Sequence, residues 1–181
     1  MRFLRDALIT LVVLVAVISI VVYARVRAGG LSADATPGAV ERTVASRLVR
    51  LSIPSDAQQR QNPFASDANA WRAAADHYGD HCAVCHGADG HGRTEMGENM
   101  YPKVPDLAAP SVQNLSDGAI FSIIENGVRW TGMPAWKNEH SDEESWRLVS
   151  FVRKVPSLTA QDLEMLGHGS HEHEHHDNHA R

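Results

Sequence analysis

The chain is 181 residues long, 22% charged and 43% hydrophobic, with a formal net charge of -5, enough for one modest domain plus extensions. The mild acidity excludes the basic footprint of a nucleic-acid binder, and no G-x-G-x-x-G or Walker-type phosphate loop is present. There are only two cysteines, and no internal repeat is found.

Residues 1–6 form a short polar N-terminus that includes Arg2, Arg5 and Asp6. From Ala7 to Ala24 the chain is apolar apart from Thr10 and Ser19. As a helix rising 1.5 Å per residue, residues 7–24 would span about 27 Å, close to the hydrocarbon core of a bilayer. A cleaved signal has a shorter apolar core, although Val26-Arg27-Ala28 loosely fits a cleavage site. The expectation is a retained single-pass anchor with a cytoplasmic N-terminus. Arginines flank both sides (Arg2 and Arg5, then Arg25 and Arg27), so the positive-inside rule does not orient it.

Residues 25–65 read as a juxtamembrane connector. Thr36 is placed to cap a helix with Pro37 in its first position. Val40, Val44, Leu48 and Leu51 recur at helical spacing, with Arg42, Arg47 and Arg50 available to the polar face. Such a helix would lie on a membrane surface or a partner, or stay solvated. Pro54 ends it, and Ser55 to Phe64 reads as a loop.

Residues 66–156 carry the globular pattern. Ser66 or Asp67 would cap a helix presenting Trp71, Ala74, Tyr78 and Cys82 on one stripe. That stripe runs into Cys82-Ala83-Val84-Cys85-His86, which holds both cysteines of the chain. C-x-x-C-H is the attachment sequence for a c-type haem. On a helix, the two thiols lie three residues apart on one face, each placed to add to a haem vinyl group, with the His86 imidazole below the iron. Half a zinc site would need a second ligand pair, and a thioredoxin-like dithiol expects a βαβ setting. The chain offers neither a second cysteine pair nor persuasive strands.

From Gly87 to Pro110 the chain is rich in glycine and proline. Ser116 then opens a helix burying Ile120, Phe121, Ile123 and Ile124, with Gly127 as its stop. Ser141 and Glu144 form a capping box for a last main helix whose Trp146, Leu148, Val149 and Val152 face inward, and Pro156 ends it. Three helices without a persuasive strand make an all-α domain.

A second axial ligand must come from methionine or histidine on the face opposite His86. Met96 and Met100 follow the motif so closely that a short turn would struggle to carry them round the haem edge, and Met165 lies beyond the last main helix. Met133 sits between two helices in Gly132-Met133-Pro134-Ala135-Trp136, and Pro134 restricts its backbone to extended forms. With His86 and Met133 both bound, the iron would have no open site for a substrate, which points to electron transfer and away from catalysis.

Residues 157–181 form a C-terminal extension. Thr159 to Leu166 suits a short helix, and beyond it lie six of the eleven histidines, interleaved with Glu172, Glu174 and Asp177. Imidazole and carboxylate together suit Zn²⁺, Ni²⁺ or Cu²⁺. The alternative is a solvated tail whose charge changes near neutral pH.

The stretch Cys82 to Gly87, the following Asp89-Gly90-His91-Gly92, Pro105-Asp106-Leu107, and Ile124-Glu125-Asn126-Gly127 leading to Gly132-Met133-Pro134 resemble the class I c-type cytochromes. They are similar in particular to the haem domains of cbb3 oxidase subunits. The resemblance covers Ser66 to Pro156 and implies a helical domain around one covalent haem c, held by Cys82, Cys85, His86 and Met133. It also implies that the first and last helices cross beside the haem, bringing the Trp71/Tyr78 stripe against the Trp146/Val149 stripe. Pro105 to Leu107 and Arg129-Trp130 are expected near the haem. Because c-type haem is attached outside the bacterial cytoplasmic membrane, the domain is expected on the periplasmic side. Its partners would be a redox donor, a redox acceptor and the lipid bilayer. The function expected is that of a membrane-anchored one-electron carrier in a respiratory or related chain. The alternatives are an electron-transfer subunit of a larger oxidoreductase, or a haem sensor or metal-handling protein.

Overall fold

A computed structural model describes residues 2–33 and 35–172, with side chains as far as Leu166. It is helical, with no strand among the described residues, as the apolar periodicity predicts. The chain divides into two compact units, Met1–Ala35 and Thr36–Arg181.

The first unit is one helix, α1 (Arg2–Arg27), of 26 residues with none buried. It contains the predicted 7–24 span and extends it at both ends. At the helical rise it is about 39 Å long, more than the roughly 30 Å of a hydrocarbon core. By length and composition it is a candidate membrane span.

The second unit begins with α2 (Ala39–Ser52). The predicted Thr36 cap is not used: Gly38 is the N-cap, in extended conformation, and its carbonyl accepts from the Arg42 N–H at 2.9 Å. Glycine costs about 1 kcal/mol inside a helix relative to alanine, so the helix starts after it. Residues predicted as loop then contain α3 (Ser55–Gln59), which packs on a later helix. Asn62 is buried and donates to the Trp146 carbonyl at 3.2 Å and the Ser150 hydroxyl at 2.9 Å. These residues therefore belong to the packed body.

The single helix expected from Ser66 is broken. The Asp67 carboxylate accepts from the Asn69 N–H at 2.9 Å, a local turn that competes with helix. A 3-10 turn (Arg72–Ala74) follows, and α4 (Ala75–His81) begins only there. The stripe survives the break, with Trp71, Ala74 and Tyr78 all buried. Next come α5 (Ala83–His86), α6 (Glu95–Glu98) and α7 (Pro110–Gln113). The Ser116 cap and Gly127 stop of α8 (Asp117–Asn126) are as predicted. Ile123 is only half-buried, and Ser122 is buried beside Ile120, Phe121 and Ile124.

The last main helix is α9 (Asp142–Lys154), with both halves of the Ser141/Glu144 capping box formed. The four residues predicted to face inward are buried, and so are Ser145 and Phe151, both at 0% exposure. That wide burial makes α9 the centre of the core. Tyr78 stacks on Phe151 at 3.9 Å between centroids, and Trp71 tilts against it at 6.4 Å. Trp146 stacks on Phe121 of α8 instead, at 4.2 Å. The expected meeting of aromatic stripes is therefore made through Phe151, because positions 146 and 151 are about 140° apart on a helix. The Ser145 hydroxyl donates to Glu125 at 2.5 Å, and Arg153 ties α9 to Asp117 at 2.8 Å.

The last described element is α10 (Ala160–Glu172), longer than the predicted Thr159 to Leu166. Thr159 and Asp162 cap it reciprocally: the Asp162 N–H donates to the Thr159 hydroxyl at 3.2 Å, and the Thr159 N–H to the Asp162 carboxylate at 3.0 Å. Aspartate in place of the usual Glu or Gln hid that capping box from the sequence pattern.

Candidate functional site

Cys82 ends α4 and opens α5, so the motif is held by two short helices in succession. Its carbonyl accepts from the Cys85 N–H at 3.2 Å and the His86 N–H at 2.9 Å, which sets the two thiols one turn apart. Both are free and half-buried. Burial, and then the neighbouring Cys85, push the Cys82 thiol up to about 12. That shift is opposite to the one a reactive redox thiol needs.

His86 is half-buried, and desolvation of its ring lowers its pKa. The Pro105 carbonyl, which raises it, is the weaker influence. Nδ1 of His86 is buried without a well-formed hydrogen bond; the Pro105 carbonyl faces the ring closely enough to act on it electrostatically. The result is a neutral imidazole, the form that ligates a metal. The Tyr78 hydroxyl donates to the Gly87 carbonyl at 2.8 Å and so fastens the motif to α4. Thr94, which sequence reasoning passed over, donates its hydroxyl to the Val84 and Cys85 carbonyls at 2.9 and 3.1 Å and accepts from the Gly97 N–H at 2.8 Å. A Cβ at Gly97 would lie 2.6 Å from the Cys85 carbonyl oxygen. Only glycine lets α6 lie this close under the motif.

Met133 sits on a separate closed loop between α8 and α9. The Val128 N–H donates to the Met133 carbonyl at 3.1 Å, and the Thr131 hydroxyl accepts from the Met133 N–H at 3.1 Å. The loop is also hung from the end of α8, with the Trp136 and Lys137 N–H groups donating to the Ile124 and Glu125 carbonyls at 3.2 and 3.1 Å. Gly127 is more than the predicted helix stop. Its φ is +62°, and a Cβ there would lie 2.6 Å from the Met133 carbonyl oxygen. Gly127→Ala should therefore leave α8 folded but displace the Met133 loop. Carbon monoxide binding by the reduced holoprotein would read this, and uptake as slow as in the wild type would count against the Gly127 contact.

Turn length does not keep Met100 away from the Met133 loop. The segment after the motif forms α6 beneath Cys85 and then travels to the Met133 loop, where a Cβ at Gly132 would lie 2.6 Å from the Met100 sulfur. Of the residues expected near a haem, Pro105 faces His86 and Leu107 is buried, its N–H donating to Gly90. Trp130 is 87% exposed and has φ +62°. Such a left-handed conformation is uncommon for a bulky residue.

A histidine cluster joins the motif side to the Met133 side. His77 and His140 share a hydrogen bond at 2.8 Å, His81 packs edge-on against Trp136, and Trp136 stacks on His140 at 4.7 Å. Burial lowers the pKa of both His77 and His140. Neighbouring histidines add to this, and the carboxylates of Glu144, Asp80 and Glu139 oppose it. Below the unfolded value of 6.5 the unfolded chain takes up protons that the folded chain refuses. This contribution to stability is thus complete above that pH and shrinks as pH falls through the window beneath it. The thermal midpoint should fall from pH 7 to pH 5, and the double variant His77→Gln, His140→Gln should flatten that slope. An equally steep fall in the variant would remove the pair as its cause.

The residues around the motif fit a covalently held haem: two half-buried thiols on one turn, a half-buried imidazole beside them, and a glycine where α6 passes under Cys85. No three His, Cys, Asp or Glu side chains are grouped to hold a metal ion among the described residues. The predicted metal-binding histidines of the tail, His168 to His179, have side chains outside the described residues. No curated protein matches the chain. The family model described as cytochrome C oxidase, cbb3-type, subunit III matches residues 69–152, the region that holds α4 to α9 and the attachment motif; this stretch is similar to a cytochrome c domain, which implies covalently bound haem c.

Proposed function

We propose that the protein is a membrane-anchored one-electron carrier in which His86 and Met133 ligate the haem iron. The observation that carries this reading is the double tethering of the Met133 backbone, which gives a loop otherwise open to solvent a fixed geometry. Cys82 and Cys85 would hold the haem as thioethers. The bound haem supplies a one-electron couple. His86 contributes a neutral nitrogen donor, kept neutral by burial, and Met133 a thioether that favours the ferrous state and raises the potential. Apolar surroundings that keep water from the bound haem would act in the same direction. Were His86 and Met133 both to hold the iron, it would keep no open position for an organic substrate or oxygen.

α1 supports anchoring in the bacterial inner membrane, with the cytochrome domain on the periplasmic side where c-type haem is attached. The match to an oxidase-subunit family favours a second reading, a fixed electron-transfer subunit of a membrane oxidoreductase. A redox titration of the protein in gently solubilised membranes tests both. Reversible one-electron behaviour with a low-spin spectrum is expected. An open-site, high-spin spectrum would sink the carrier reading, and a stable co-purifying catalytic subunit would favour the second.

A further inference from the structure

α2 has an apolar face that the domain does not use. Val40, Val44, Leu48 and Leu51 fall within about 80° on the helix, and they are 78%, 51%, 57% and 81% exposed. The contacts of α2 with the body lie outside that stripe. Val49 is half-buried, Glu41 accepts a hydrogen bond from the Tyr101 hydroxyl, and Ile53, just past the helix, is buried, with its carbonyl held by Gln58 at 2.9 Å. The apolar stripe is thus left to solvent, with the contacts to the body made elsewhere on the helix. Arg47 borders that stripe beside Val40 and Arg50 lies further round on the same flank, while the only acid of the helix, Glu41, flanks the stripe on its other edge and is engaged by the Tyr101 hydroxyl.

We propose that this face lies in the headgroup region of an anionic phospholipid bilayer, making α2 a second membrane contact that sets how the cytochrome domain is presented to its redox partners. Two observations select lipid as the occupant. The arginine-bordered stripe complements an anionic surface, each basic residue near the surface adding to the attraction. Continuity with α1 is the other: only residues 28–38 separate the end of α1 from the start of α2. Those 11 residues reach at most about 40 Å when fully extended, so an anchored α1 confines α2 to the membrane's neighbourhood. The inference rests on the anchored reading of α1.

The test uses the full-length, haem-loaded chain in vesicles of equal parts phosphatidylglycerol and phosphatidylcholine. Spin labels are placed at Leu48→Cys on the stripe and at Ser46→Cys on the opposite side. Their collision with oxygen and with a water-soluble nickel chelate is measured by power saturation on the reduced protein. The Leu48 label should be several-fold less accessible to the chelate than the Ser46 label and more accessible to oxygen. Pure phosphatidylcholine, or the double variant Arg47→Gln, Arg50→Gln, should shrink that difference. Amide exchange of residues 39–52 in the unlabelled chain should slow in the anionic vesicles, which checks the result without a label. Equal chelate access at the two positions, in a chain that resists alkaline carbonate extraction, would overturn the α2 contact and leave the anchor standing. A Leu48 label shielded from both reagents would mean a protein occupant, such as a second copy, and would also overturn it. Release of the chain by carbonate would overturn the anchor and the α2 contact together.

Discussion

Met133→Ala is expected to keep covalently attached haem, lower the reduction potential and open the reduced protein to carbon monoxide. On the proposed ligation the thioether would be the donor that favours ferrous iron, and axial ligation sets haem potentials over a span of about 0.8 V. A drop on the order of 100 mV or more is therefore expected, with loss of the low-spin spectrum. The loop itself should persist, since its hydrogen bonds run through the backbone of residue 133 and the Thr131 hydroxyl. Met100 is the informative control, because its sulfur lies against Gly132. If Met133→Ala keeps the wild-type spectrum and potential while Met100→Ala loses them, the ligand is Met100 and the assignment of Met133 is wrong.

Phe151→Ala should be the most damaging single core substitution. The ring is fully buried and receives both Tyr78 and Trp71. Truncating a buried phenylalanine costs about 3–5 kcal/mol, a large share of a total stability of about 5–15 kcal/mol. The damage should reach the functional site, since Tyr78 is also the residue that hydrogen-bonds Gly87 after the motif. Lower haem incorporation should therefore accompany a lower denaturant midpoint. Phe151→Leu, which retains most of the apolar volume, should recover much of both. A loss under about 1 kcal/mol for the alanine variant would contradict the packing of α4 on α9.

Several features were legible without a fold because they are local. The Cys82-x-x-Cys85-His86 spacing, the apolar run inside α1, the Ser116 and Ser141 caps and the stop at Gly127 each depend on residues within one or two turns. Helix boundaries failed where a short-range competitor intervened, as with the Asp67 turn that delays α4 and Gly38 that delays α2. The Thr159/Asp162 cap was missed for its unusual acid.

The sequence by itself determined the class of the protein, an all-helical chain with a covalent haem motif behind an apolar helix, because a covalent attachment signal and a membrane-length run are written in consecutive residues. Only the tertiary structure decided how the loop around Met133 is held: Gly127 beneath its backbone, Thr131 within it, and Met100 arriving from more than thirty positions earlier. It also decided that Phe151, rather than Trp146, receives the stripe leading to the haem motif. Those contacts join segments distant in the chain. Their physical basis is the space left by an absent Cβ or filled by a ring, and such space exists only once the helices have packed.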